Sequence, residues 1–203
     1  LGTAYEYYVK LRLLEKHIDG VKNVLIYGLP EKYGYSLDFF QFCKRNGIMV
    51  KLYEPRKKKI EKLQQLLGTE IKTIESITKS YDLILSGEYL QMLDKYAKKN
   101  FAYNVKQSSN KAIVFVPNKD NKAHSRLSEL KGLSLQELKG MFPNIIDSGY
   151  IDMPPFPPGV KKKKRTKSTL LLLVLRLFAG LEPIIPESVR KRHAHICYVI
   201  IEN

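Results

Sequence analysis

KNVLIYGLPEKYGYSLDFFQFCKRNGIMVKLYEP, residues Lys22 to Pro55, decides how the rest of the chain is read. Asn23 to Tyr27 is a short apolar run stopped by Gly28, the pattern of a buried strand. Gly28, Pro30 and Gly34 then cluster in a turn, and Ser36 is placed to cap a helix. That helix carries Leu37, Phe39, Phe40 and Cys43 at near-helical spacing up to Asn46-Gly47. Ile48 to Tyr53 returns to a strand, and Glu54-Pro55 puts a carboxylate at its tip, where proline turns the chain away. In an open parallel sheet the crevice lies beyond the carboxyl ends of the strands, so the glycine turn and Glu54 face one ligand. The turn lacks GxGxxG: behind Gly28 stand Leu29, Pro30, Glu31 and Lys32, which argues against a pyrophosphate seat.

The 203 residues, 44% of them hydrophobic, suffice for one sizeable core, and the chain reads as a single domain over 1–203. Cys43 and Cys197 lie far apart inside apolar runs, which predicts two buried thiols rather than a disulfide or a metal pair. Reduced thiols and an opening without a basic-then-apolar leader predict a cytoplasmic protein. The net charge of +15, with the block KKKKRTK at Lys161 to Lys167, predicts attraction to an anionic surface such as RNA or a membrane.

Along the chain, Thr3 to Ile18 is an apolar-faced helix expected to pack on the sheet. Arg56 to Leu67 reads as a helix ended by Gly68, Ile71 to Ile74 as a brief strand and Tyr81 to Leu85 as a buried one. Lys111 to Val116 is the clearest strand, and Ser134 with Glu137 forms a capping box. Ile145 to Met153 reads as a strand entering a proline-rich and lysine-rich loop over residues 154–167. Leu170 to Leu181 is the most hydrophobic passage. At about a dozen residues with Arg176 inside, it falls short of the roughly twenty a bilayer span needs and is expected to be a core helix, the alternative being a helix lying on a membrane surface beside the lysine block. His195 to Ile201 closes as a strand. Alternating strands and helices predict an α/β fold, a mostly parallel sheet with helices on both faces.

This order of elements resembles the class I S-adenosylmethionine-dependent methyltransferases. Val24 to Gly28 is similar to the family's first strand and glycine turn, Val50 to Glu54 to its second strand and ribose-binding acid, and YDLILSGEYLQML (Tyr81 to Leu93) to its fourth strand and the next helix. AIVFVPN (Ala112 to Asn118), LSLQEL and DSGY resemble the return region of members acting on small-molecule or lipid-like acceptors. The resemblance implies a Rossmann-like methyltransferase fold, a seven-stranded sheet with an antiparallel last strand, and S-adenosylmethionine as cofactor. It places Tyr27, Gly28 and Gly34 around the turn, Glu54 on the ribose, Glu75 near the adenine, and Ser86 and Gly87 towards the methyl donor. Asn118, His124 and Asp152, at or beyond strand ends, are the candidates for substrate contact, and His124 and Tyr150 those for acid-base work. His193 and His195 lack a cysteine or acid cluster in sequence, so no metal site is expected.

Three departures stand out. The family's first strand carries an acid where this chain has Ile26, and its turn holds more glycines than Gly28 alone; Glu31 is the nearest loop acid. Met92 stands where many small-molecule members have a histidine. The alternatives are therefore a binding or scaffold protein of the same fold without turnover, and an RNA-associated methyltransferase. Against the latter, the chain lacks an Asn-Pro-Pro-Tyr motif and aromatic RNA-binding strings.

Overall fold

Runs such as NVLIY, YDLIL and AIVFV are apolar at successive positions rather than at alternate ones, which suits strands covered on both faces. The structure, a computed structural model, describes residues 2–30, 34–68, 71–78, 80–122, 132–155 and 168–203. The strands are β1 (Asn23–Tyr27), β2 (Met49–Tyr53), β3 (Thr73–Ile74), β4 (Tyr81–Gly87), β5 (Ser109–Pro117), β6 (Ile145–Ile151) and β7 (Ile196–Glu202). They form one sheet in the order β3-β2-β1-β4-β5-β7-β6, with β1 to β5 parallel and β7 antiparallel between β5 and β6. This is the sheet that the resemblance implied.

The helices are α1 (Gly2–Glu15), α2 (Gly34–Arg45), α3 (Lys57–Leu67), α4 (Lys95–Ser108), α5 (Leu135–Lys139), α6 (Ser168–Leu181) and α7 (Glu187–His193). Alternate strand residues feed two cores. Val24, Ile26, Leu83, Leu85, Ile113 and Ile200 pack with Leu13 and Leu14 of α1, Phe39 and Phe42 of α2 and Leu63 of α3. Leu25, Ile84, Ala112, Val114 and Val199 pack with Phe101 and Val105 of α4 and Leu135 and Leu138 of α5. Cys43 and Cys197 are free, buried and on opposite faces, and burial pushes each thiol up to about 12.

Several boundaries differ from the sequence reading. The third strand is only Thr73–Ile74, and α2 begins at Gly34, so Ser36 lies inside the helix instead of capping it. The largest correction concerns α6. Over residues 170–181 only Leu175 and Ala179 are fully buried, against Tyr5 and Val9 of α1, while Leu170, Leu173, Leu177 and Leu181 are each more than half exposed. The physical reason is space: α1 to α3 and α4 with α5 already cover the two sheet faces, so α6 docks on α1 instead of entering the core. Residues 156–167, most of the expected loop and all of the lysine block, lie outside the described residues.

The start of β1 is fastened to β4 by one carboxylate. Asp82 Oδ2 accepts from the backbone N–H groups of Lys22 and Asn23 and from Asn23 Nδ2, at 2.9 to 3.0 Å, while Asp82 N–H donates to Asn23 Oδ1 at 3.1 Å. Asp82→Ala is expected to lower stability by about 2 kcal/mol through the lost charge-assisted bonds, read as a lower urea midpoint at unchanged slope.

Candidate cofactor and acceptor site

The tips of β1 and β2 meet as the sequence predicts. Gly28 turns with φ of +77°, in the left-handed region, and its N–H donates to Tyr53 O at 2.8 Å. Tyr89, just after β4, lies flat against this glycine, leaving no room for a Cβ. Its ring joins an aromatic cluster in which Tyr27 is 5.0 Å from Tyr53, 6.0 Å from Tyr89 and 4.4 Å from Phe101, centroid to centroid. Burial raises the hydroxyls of Tyr27 and Tyr89, the latter to about 12.

Glu54 stands at the β2 tip beside this turn, with its side chain fully buried. Its Oε2 accepts from Leu29 N–H at 2.8 Å and Arg56 Nη2 at 2.7 Å, and its Oε1 from Arg56 N–H at 2.9 Å and Arg56 Nε at 2.7 Å. Arg56 Nη2 also donates to Leu29 O, and the guanidinium lies 5.6 Å from the Tyr89 ring centre. Four charge-assisted bonds fill the carboxylate's accepting capacity. Turn and acid thus lie together at adjoining strand tips, but the chain's own Arg56 and Tyr89 engage them. An adenosine would fit between them only with those two side chains moved aside.

The other sequence candidates are dispersed. Ser86 is buried and donates to Tyr27 O at 2.9 Å, tying β4 to β1, and Gly87 backs the Phe39 ring. Gly34 opens α2, and Glu75 is exposed on the bend after β3. Asn118 is fully buried: its Nδ2 donates to Lys191 O and Ala194 O, and its Oδ1 accepts from Asp120 N–H, an anchor for the start of β7. Tyr150 is buried in the α4–α5 core with its hydroxyl pushed up to about 12 by burial. His124 and Glu31 lie outside the described residues. Among the described residues no group of histidines, cysteines and acids could hold a metal ion.

The structure adds a buried acid-base cluster at the same carboxyl edge of the sheet, under α1. Lys10 pairs with Glu6 at 2.7 Å and with Glu88, just after β4, at 3.2 Å. Asp152, just after β6, pairs through Oδ2 with His195 Nδ1 at 3.1 Å. Glu182, just after α6, accepts from the Tyr5 hydroxyl and from Met153 N–H. Asp152 Oδ1 and Glu182 Oε1 are buried without a hydrogen-bond partner among the described residues. Glu88 and Asp152 both hold positive φ, at 54° and 69°, an uncommon conformation for side chains other than glycine.

Burial pulls the Lys10 ammonium down, but Glu6 and Glu88 outweigh it and leave it above its ordinary value. Burial raises Glu88 and Glu182, and it pushes Asp152 up to about 7 against the His195 hydrogen bond. That hydrogen bond in turn raises His195 against its own burial. A carboxyl holding an imidazole by Nδ1, with the ring a third exposed, can move a proton near neutral pH. Of this cluster, sequence reasoning singled out Asp152 alone for a role. The legible signal was Glu6 and Lys10, one helical turn apart in the N-terminal helix.

Two outcomes follow. Gly28→Ala must strain a left-handed backbone and displace Tyr89, so a loss of about 2 to 4 kcal/mol is expected by urea unfolding. The second concerns pH. Asp152 holds its proton to about 7 in the folded chain against 3.8 ordinarily, and His195 holds its proton above 6.5. The folded chain then binds more protons than the unfolded one over that range, so stability falls as pH rises from about 4 through 7. Denaturation at stepped pH should show this decline, and Asp152→Asn should flatten it.

No family model and no curated protein matches the chain. Solved structures do. The plantazolicin methyltransferase BamL, in complex with a triazolic desmethylPZN analog and SAH, is similar with a TM-score of 0.58 at 12% identity, over 98% of this chain and 85% of that one. A Burkholderia thailandensis protein bound to S-adenosyl-homocysteine is similar at 0.56 and 8% identity, over 98% and 76%. The 16S rRNA methylase ArmA is similar at 0.50 and 15% identity, over 72% and 78%. At such identities the likeness is one of architecture: the chain has the Rossmann-like methyltransferase fold.

Proposed function

We propose that this protein is an S-adenosylmethionine-dependent methyltransferase acting on a small-molecule or lipid-like acceptor. The observation that carries the reading is the joint position of Gly28 and Glu54 at adjoining strand tips, tied by the Gly28 N–H to Tyr53 O bond within a sheet of methyltransferase order. Similarity to BamL, a plantazolicin methyltransferase solved with a triazolic desmethylPZN analog, supports an acceptor other than nucleic acid; likeness to an rRNA methylase supports the RNA alternative less, since it covers only 72% of the chain.

S-Adenosylmethionine would supply an electrophilic methyl group. Glu54 and the Gly28 turn would hold the adenosine, with Arg56 and Tyr89 as the side chains that must first yield. Glu88 follows β4 directly, and through Lys10 it joins the strand tips to the acid-base cluster. His195, steadied by Asp152, would take the proton that the acceptor loses, its exposed ring edge facing outward. In-line alignment alone can lower the barrier by about 7 to 11 kcal/mol, so the base needs only modest strength.

One observation favours a second reading, a binding protein of the same fold without turnover. Glu54 is already saturated, and releasing it means breaking a buried charge-assisted network. Titration calorimetry with S-adenosylhomocysteine separates the two. For the methyltransferase, wild type binds and Arg56→Ala binds more tightly, because the cost of freeing Glu54 is removed in advance. Absence of heat from both proteins, with Arg56→Ala still folded by circular dichroism, would establish the second reading.

A further inference from the structure

α6 is apolar on two sides, and among the described residues only one has a partner. Leu175 and Ala179 bury against Tyr5 and Val9. Leu170, Leu173, Val174, Leu177 and Leu181, spaced i, i+3, i+4, i+7 and i+11, line the side turned to solvent. That stripe runs about 16 Å along the helix, and Ile184, 77% exposed, extends it past the helix end. Arg176 lies over the Tyr8 ring, 5.3 Å from its centre, on the flank of the stripe.

The charge that precedes the stripe in sequence indicates what covers it. From Lys161 to Leu181 the sequence holds Lys161, Lys162, Lys163, Lys164, Arg165, Lys167 and Arg176 and no acid, in a chain of net charge +15. Two copies joined stripe to stripe would bring together two chains that each carry a net charge of +15, which like-charge repulsion opposes. An anionic bilayer accepts both features, the leucines at the boundary between headgroups and acyl chains and the cations among the headgroups. No described helix is long and apolar enough to cross a membrane, so the geometry is that of a helix lying in the surface.

We infer that α6 docks this protein onto anionic lipid bilayers, with the Leu170–Leu181 stripe inserted at the interface. The inference stands apart from the cofactor reading and holds whether or not a methyl group is transferred.

Co-sedimentation of the 203-residue chain with vesicles tests it. Binding is expected to phosphatidylcholine vesicles containing phosphatidylserine, to weaken as salt rises, and to be much lower on phosphatidylcholine alone. The double variant Leu173→Glu and Leu177→Glu is expected to lower affinity about tenfold or more. Both positions point to solvent, so its circular dichroism spectrum and melting temperature should match wild type. No binding to the anionic vesicles overturns the inference. So does undiminished binding of the double variant, which would leave the lysines as the sole attraction. A wild-type dimer in sedimentation velocity that the double variant abolishes would also overturn it, by assigning the stripe to a second copy.

Discussion

Burial of the central sheet on both faces is the constraint from which the rest follows. Leu25, Ile84, Ala112 and Val114 serve one core and Val24, Ile26, Leu83 and Ile113 the other, all within a few per cent of complete burial. A fully buried side chain of this kind is worth about 1.5 to 3 kcal/mol of transfer free energy, and no polar group could be accommodated among them without a partner. Polar chemistry is consequently pushed to the ends of the strands. At the carboxyl end, Glu54, Glu88, Asp152 and His195 all follow or precede a strand by one or two residues. The same constraint leaves no core space for α6, whose leucines remain outside.

At that carboxyl end two charge networks have different characters. The Glu54–Arg56 pair is internally complete: every oxygen of the acid is used, and the arginine also closes on Leu29 O. The cluster under α1 is incomplete, with Asp152 Oδ1 and Glu182 Oε1 lacking donors among the described residues. A complete network is stiff and costs free energy to open, whereas an incomplete one already carries the cost of desolvation and is the better placed to exchange a proton. On the proposed function the first would serve as a gate and the second as the reacting centre.

Much of this was legible in the sequence. Apolar runs bounded by Gly28, Gly47, Gly68 and Pro117 located the strands, and the succession strand, turn, helix, strand, acid located Glu54 at its tip. What could not be read was who would use that acid, because Arg56 is only two residues away and a charged neighbour in sequence gives no hint of a fork closing back on it. The cluster under α1 was hidden for another reason: Tyr5 meets Glu182 across 177 positions, and Asp152 meets His195 across 43. Hydropathy also misplaced α6, since it measures how much a segment gains from leaving water but not whether a surface is left to receive it. Asn118 looked like a ligand-facing amide at a strand end; it is an anchor for β7.

The antiparallel β7 sits between β5 and β6, though it is made after both. As the chain emerges from a ribosome, β5 therefore has no neighbour on one side, and β6 has none at all, until residues 196–202 arrive. During that interval the nascent sheet exposes long unpaired edges, one of them the strongly apolar AIVFV run, which are templates for pairing with another chain. Insertion of the late strand is thus a zip that shuts off self-association, and the interior position of β7 makes the speed of that step a determinant of yield.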